Sequence, residues 1–242
     1  MRRVASAGAC VMAAALSTAE AHADDTTAAR RAAAAREMGQ PYAMAALGAG
    51  FIGLPAAEVC PTSLTQCSHG EASLALGIHF LYRWREFGVG GGIEWATTLR
   101  SDAARGDSSL GRDHSRRYFL IEGQFRYYPL RRSAWEWWTG ATFGAVIVND
   151  SWSEYADRDP PTDADIQGPR AATLGTEGLA AGIGTGVEWS FLRNVSLGAD
   201  LRYANWFLPN NRSVLPTGDV ASLSGRVDMF ELGVVLAYRI AL

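Results

Sequence analysis

Residues 225–242 read GRVDMFELGVVLAYRIAL, and this stretch decides the fold. From Phe230 to Leu242 every second side chain is large and apolar. The residues between them are mostly charged or small, among them Glu231, Gly233 and Arg239. A period of two places the two sets on opposite faces of a β-strand, whereas a helix needs a period near 3.6. The stretch therefore predicts a strand with one apolar face and one small or polar face.

Similar alternation upstream predicts seven further strands. The eight strands are predicted at residues 42–54, 71–84, 86–100, 116–130, 135–148, 176–191, 194–208 and 225–241. Very short connections follow the second, fourth and sixth strands. The other connections are long and span 55–70, 101–115, 149–175 and 209–224. Because short and long connections alternate, we expect an antiparallel array with short turns at one end and long loops at the other.

The composition excludes several other classes of protein. The 242 residues are 48% hydrophobic, but the mean hydropathy is −0.03. No apolar run after residue 23 reaches the roughly 20 residues that a membrane helix needs. Aromatic residues make up 10% of the chain, which argues against disorder. The net charge is −3, so we expect no nucleic-acid partner.

The direction of the apolar face separates a membrane barrel from a soluble one, because both show alternation with period two. The apolar face is too bulky for the inside of eight strands, and its aromatic residues collect near the short turns, as in an interfacial girdle. The opposite face has two rows of glycine: Gly88, Gly90, Gly92 and Gly182, Gly184, Gly186. Glycine there leaves room for large neighbours inside a narrow lumen. We therefore predict an all-β fold, a closed eight-stranded antiparallel up-and-down transmembrane β-barrel, since an open edge in lipid leaves backbone groups unpaired.

The N-terminal segment is predicted to be a targeting sequence. Basic residues at positions 2 and 3 precede a small apolar stretch, and Ala21-His22-Ala23 fits a small-x-small cleavage site. This pattern predicts a cleaved signal peptide at 1–23, a periplasmic segment at 24–41 and the barrel at 42–242.

Two cysteines remain after the signal peptide is removed. Cys60 and Cys67 both lie in the first long loop of a chain predicted to be exported. An even number of cysteines in an oxidising compartment predicts a local disulfide, with two free thiols as the alternative.

This layout resembles the small eight-stranded outer-membrane barrels of Gram-negative bacteria, the group of the OmpA transmembrane domain, OmpX and OmpW. The resemblance covers residues 42–242 and is sharpest in the C-terminal strand. The polar, glycine and hydrophobic positions of the signal for the barrel-assembly machinery correspond to Glu231, Gly233, Leu236, Tyr238 and Leu242. The family usually ends in an aromatic residue, where this chain has leucine. The resemblance implies the outer membrane, with both termini in the periplasm, short periplasmic turns and long extracellular loops.

Charged residues on the lumen face form the main candidate site. The predicted lumen network consists of His79, Arg83, Glu94, Glu122, Arg126, Glu136, Glu188, Asp200, Arg202, Glu231 and Arg239. Eight strands enclose little more than their own side chains, and an unpaired buried charge is costly. We therefore expect the network to plug the lumen, which predicts a structural or surface-interaction role. A narrow or gated diffusion channel for small ions or solutes is the alternative.

Histidines are the candidates for the more distant alternative, a lipid A-modifying enzyme of the outer membrane. His69 lies in the first long loop, and His79 points into the lumen. His114 and Ser115 are neighbours on one strand and face opposite sides. Because no His-x-Ser pattern occurs on an outward face, we predict no enzyme activity and no catalytic residue. We also predict no metal site and no cofactor.

The long loops are where we expect specificity. Loop 149–175 is acidic and is either solvated or a Ca²⁺ ligand, although its spacing fits no EF-hand. Arg112, Arg116 and Arg117 are candidates for contact with lipopolysaccharide phosphates, with simple solubility as the alternative. The expected partners are outer-membrane lipid, lipopolysaccharide and, during biogenesis, the barrel-assembly machinery. The sequence identifies no extracellular partner.

Overall fold

The computed structural model describes residues 41–59, 67–99, 102–104, 112–132, 134–154, 171–216 and 218–241. Within these ranges the strands are β1 (Tyr42–Val59), β2 (Ser68–Trp84), β3 (Phe87–Thr98), β4 (Asp102–Ala104), β5 (Arg112–Arg132), β6 (Trp135–Glu154), β7 (Ala171–Ser190), β8 (Val195–Phe207) and β9 (Arg226–Ala241). Over the same ranges, no helix has the length and apolar character needed to cross a membrane.

The strands form one antiparallel sheet that closes on itself. Consecutive barrel strands pair with each other, β3 pairs with β5, and β1 pairs with β9. The closed barrel therefore has eight strands, while the three-residue β4 pairs with the start of β5. Tyr42 lies opposite Ala241, so the first strand begins and the last strand ends at the same rim as the short turns. The predicted fold class is confirmed.

Several strands are longer at the loop end than the sequence predicted. β5 begins at residue 112 instead of 116, β6 continues to 154 instead of 148, and β7 begins at 171 instead of 176. Outward-facing residues there are polar, such as Asn149 and Ser151, so the apolar alternation stops before the hydrogen bonding does. The prediction of a loop over 149–175 was therefore wrong at both ends, where residues 149–154 and 171–175 belong to strands.

A broad apolar belt surrounds the outside of the barrel. Phe80, Phe143, Ile183 and Leu232 each expose more than 60% of their surface. On β9 the belt runs from Phe230 to residue 240, close to the roughly 9–11 residues of a tilted membrane-spanning strand. The apolar face thus points outward, as predicted.

Aromatic rings gather on the outside near the short turns. Trp135 stacks on Trp189 with ring centroids 5.8 Å apart, and Phe191 lies 5.6 Å from Trp189. Phe87 contacts both Phe125 and Tyr127 on the neighbouring strand. These rings form the predicted girdle at the short-turn rim.

Glycines on the inner face make room for large side chains. A Cβ atom on Gly92 would lie 2.3 Å from Nδ1 of His79, and one on Gly77 would lie 2.8 Å from its Nε2. A Cβ on Gly186 would lie 2.8 Å from the Trp138 ring. The structure therefore confirms the role predicted for glycine in the lumen.

Candidate functional site

Ion pairs fill the half of the lumen nearest the short turns. Arg83 lies 2.7 Å from Glu136, and Arg239 lies 2.9 Å from the same carboxylate. Arg239 also lies 3.1 Å from Glu188, which pairs with Arg126 at 3.2 Å. We call these five residues the turn-side cluster. Its members come from β2, β5, β6, β7 and β9, so the cluster links opposite walls of the barrel.

Aromatic rings enclose the arginines of the turn-side cluster. The Arg83 guanidinium lies 3.7 Å from the Tyr128 ring centroid and donates a 2.7 Å hydrogen bond to the Tyr42 hydroxyl. Arg126 lies 4.0 Å from the Trp138 ring centroid. Apolar side chains pack around these rings, including Met44, which is 2% exposed. The short-turn end of the lumen is therefore closed by packed side chains.

Arg202 is the centre of a second group, the central cluster. Its guanidinium lies 2.6 Å from Glu94 and 2.5 Å from Glu231, and it also donates to Glu122. The remaining members are Asp200 and His79, whose side chains line the adjacent cavities. Three carboxylates thus pair with one guanidinium, and the Asp200 carboxyl lies on the walls of the same cavities, so this cluster has more acidic than basic side chains.

Two small cavities flank the central cluster. Their volumes are about 10 and about 30 Å³, which is room for about one and about two water molecules. Their walls include buried polar atoms without a hydrogen-bond partner among the described residues, such as Asp200 Oδ1 and His79 Nδ1. Within the described ranges, no group of three or more His, Cys, Asp or Glu side chains is arranged to hold a metal ion. The size and polar walls of these cavities suit water molecules.

An apolar layer fills the lumen above the central cluster, toward the long loops. Trp206, Leu120, Ile52 and Met229 are each 1% exposed or less. Leu223 joins the same layer from the connection between β8 and β9. This interior core was not predicted, since the lumen site predicted from the sequence consisted of charged residues and a histidine.

The connection between β8 and β9 folds into the barrel mouth, and we call residues 209–225 the mouth plug. Its residues 219–223 are buried. Arg212 donates hydrogen bonds to the carbonyls of Ala221 at 2.9 Å, Ser222 at 2.5 Å and Glu58 at 3.2 Å. The Ser222 amide donates to Asp150 Oδ2 at 3.0 Å. Partial burial lowers the pKa of the Arg212 guanidinium. The plug is thus hydrogen-bonded to β1 and to β6.

A histidine–aspartate pair supports the plug from below. His114 Nε2 lies 2.8 Å from Asp150 Oδ1, and the imidazole stacks on Trp152 with centroids 4.9 Å apart. The other ring nitrogen, Nδ1, lies 3.3 Å from an Arg116 nitrogen that can only donate, so Nδ1 accepts and Nε2 donates. Both ring nitrogens are therefore engaged.

Arg116 and Asp150 do not lie where the sequence prediction put them. Arg116 was predicted to contact lipopolysaccharide, but it is 3% exposed, points into the mouth and pairs with Glu71 at 3.0 Å. Asp150 was predicted to lie in an acidic loop, but it is fully buried. Arg116 lies an even number of residues from the inward-facing Glu122 on β5, and Asp150 lies an even number from the inward-facing Glu136 on β6. Extending that parity past the apolar belt could have placed them inside.

Of the other two arginines, Arg117 is exposed on the outward face beside Thr97 and Asn149, while the Arg112 side chain lies outside the described residues. His69 is exposed at the start of β2. Cys67 is described but Cys60 is not, so the predicted disulfide stays a prediction.

The predicted assembly-signal residues occupy both faces of β9. Glu231 and Gly233 face inward, whereas Leu236 and Tyr238 are 49% and 51% exposed on the outside. Leu242, the predicted signal peptide and residues 24–40 lie outside the described residues, as do residues 155–170 of the acidic segment.

Solved structures with a similar fold exist among outer-membrane proteins. No family model matches the chain, and no curated protein has a matching sequence. The crystal structure of Neisserial surface protein A matches with a TM-score of 0.54 at 14% identity, covering 82% of this chain and 97% of that one. The fold is that of the small eight-stranded outer-membrane β-barrels.

Two further solved structures are similar at a lower level. A major outer membrane protein from Thermus thermophilus matches with a TM-score of 0.49 at 17% identity, covering 83% of this chain and 99% of that one. Ail, the attachment invasion locus protein of Yersinia pestis, matches with a TM-score of 0.41 at 15% identity, covering 82% and 99%. At these identities the similarity concerns the fold alone.

Proposed function

We propose that this chain is an outer-membrane protein whose barrel is a closed scaffold, with a structural or surface-interaction role carried by its loop end. One observation carries the proposal: packed side chains occupy the lumen at every level that the structure describes, with only two small cavities beside the central cluster. The turn-side cluster, the central cluster, the apolar layer and the mouth plug follow one another along the barrel axis. Such a lumen favours a scaffold, because packed side chains stand in the route that water and ions would take.

The route by which an exported barrel reaches the outer membrane gives its orientation there. An exported chain with a signal peptide at 1–23 reaches the outer membrane from the periplasm, and both ends of the barrel lie at the short-turn rim. We therefore propose periplasmic termini and turns, assembly through the C-terminal signal of β9, and long loops outside the cell. In that oxidising setting, the Cys60–Cys67 bridge would shape the first extracellular loop.

Conductance in planar bilayers tests the closed scaffold. The full-length protein, refolded and shown to be inserted by its heat-dependent gel mobility, should give no channel events across voltages and salt concentrations. A general porin in the same bilayers controls for detection. Reproducible unitary steps from the refolded barrel would reject the closed scaffold and support the channel alternative.

A narrow ion pathway is the second candidate function. It is favoured by the two polar cavities and by the carboxyl groups of Glu94, Glu122, Glu231 and Asp200 along their walls, which would attract cations. For catalysis, both ring nitrogens of His114 are engaged by Asp150 and Arg116, so this histidine offers no free general base. An unchanged lipid A mass spectrum after deletion and overexpression of the gene is the corresponding expectation.

A further inference from the structure

An arginine with aromatic neighbours lies on the outside of β8 and β9, at the upper edge of the apolar belt. Arg226 is the first residue of β9 and lies directly opposite Phe207, the last residue of β8. The Arg226 side chain is 65% exposed. Phe207, opposite it, and Phe230, four residues along β9 on the same face, expose 49% and 46% of their surface. A cationic group thus stands at the point where the apolar surface ends.

A hydrogen bond and a long ion pair orient this arginine. Arg226 Nε donates to the side-chain oxygen of Asn205. The nearest carboxylate, Asp228, is 3.9 Å from Nη2 and accepts a 2.7 Å hydrogen bond from the Tyr203 hydroxyl. The Tyr203 ring lies 4.9 Å from that of Phe230. The outer edge of the guanidinium is therefore oriented, and it is only loosely neutralised by Asp228.

We propose that Arg226 is a binding site for the phosphate of an outer-leaflet glycolipid, whose acyl chains lie against Phe207 and Phe230. Arginine suits phosphate because its planar fork can donate two parallel hydrogen bonds. The site matches an amphipathic ligand, since charge and exposed aromatic surface meet within one strand pair. The proposal rests on the proposed outer-membrane placement and adds which residues contact the lipid. It differs from the Arg117 prediction, because no described hydrogen bond orients that side chain.

Native mass spectrometry of the full-length protein in mild detergent tests the site, with diphosphorylated lipid A as the probe. Arg226→Ala should weaken binding about tenfold, the effect of losing a charge-assisted contact. Asp228→Asn should strengthen binding, because it removes the competing carboxylate while keeping an acceptor for Tyr203. Arg85→Ala is the matched control. Arg85 is also exposed and lies near an aromatic ring, with its guanidinium 5.3 Å from the Trp84 ring centroid, but it lies at the opposite rim of the barrel. Dephosphorylated lipid A should bind all variants equally.

Unchanged binding in Arg226→Ala, or an equal loss in Arg85→Ala, would overturn the site. Competition by inorganic phosphate at micromolar concentration would also overturn it, because the ligand would then be free phosphate. Fractionation of the cells that produce the protein separates a failure of the lipid site from a failure of the proposed function. Protein found in the outer membrane with unchanged lipid binding rejects the site alone, whereas protein absent from the outer membrane rejects the membrane placement.

Discussion

At the scale of single residues, Arg202 neutralises carboxylates of the central cluster that would otherwise repel one another. Its guanidinium contacts Glu94, Glu122 and Glu231, which come from three different strands. Without it, these carboxylates would face one another in a lumen with little water. The arginine is 7% exposed, so solvent cannot replace it. The contribution of Arg202 to stability is therefore measured best by the free energy of unfolding that is lost when this side chain is replaced.

Arg202→Met should lower the free energy of unfolding by about 3–5 kcal/mol, because removing one partner leaves buried charges uncompensated. Urea unfolding of the barrel in lipid vesicles, followed by gel mobility, measures the change. Arg226→Ala, an exposed position with a loose ion pair, should cost less than about 1 kcal/mol. Equal midpoints for the two variants would show that Arg202 does not neutralise the central cluster.

Glycine at position 92 is required by a close approach. A Cβ there would lie 2.3 Å from the His79 ring and 2.7 Å from the backbone oxygen of Ile78. We expect Gly92→Ala to destabilise the barrel by about 1–3 kcal/mol, as overpacking does. Gly53→Ala is the control, because a Cβ there would lie 4.0 Å from the backbone oxygen of Phe230, an ordinary contact. If both alanine variants unfold at the same urea concentration, the lumen is less tightly packed than the structure indicates.

At the scale of elements, the mouth plug turns the loop end of the barrel into a packed core. Leu223 from the plug packs with strand residues of the apolar layer, while Arg212 and Asp150 fix the plug at its edges. Asp150 satisfies two buried donors, the His114 ring and the Ser222 amide. A single carboxylate therefore links the plug to the barrel wall.

Asp150→Ala should loosen the plug, since each buried donor left unpaired costs about 1–3 kcal/mol. Trypsin cleavage after Arg212 in the folded protein should become faster, and gel mobility should show that the barrel remains intact. Ser151→Ala changes the neighbouring outward residue, whose 3.4 Å contact with Thr173 is exposed, and should not alter cleavage. Identical cleavage rates in the two variants would contradict the role of Asp150.

At the scale of the whole molecule, the barrel has two unlike ends. The turn end is compact and ringed by aromatic side chains, whereas β5, β6 and β7 continue past the apolar belt at the loop end. This asymmetry fits a barrel held in a bilayer at one end and exposed to solvent at the other. It also specifies which parts of the chain an antibody should reach on intact cells.

An epitope inserted at position 163 should be detected on intact cells, and one inserted at position 30 only after the outer membrane is permeabilised. The physical reason is that the chain ends and the long connections lie at opposite rims of the closed sheet. Surface labelling with flow cytometry measures both, and gel mobility confirms that each insertion variant folds. Detection of the position-30 epitope on intact cells would reverse the proposed orientation.

The sequence by itself determined the strand number, the outward direction of the apolar face and the inward parity of the charged residues. These are local properties, because alternation with period two is written in consecutive residues. Only the tertiary structure decided which charges pair, since Arg202 and Glu94 are 108 residues apart and meet through barrel closure. It also decided that Arg116 pairs with Glu71, that Asp150 bonds both His114 and Ser222, and that residues 219–223 pack inside the mouth. Those contacts depend on how far each strand extends beyond the apolar belt and on which side chains pack inside the barrel. No local sequence pattern encodes either property.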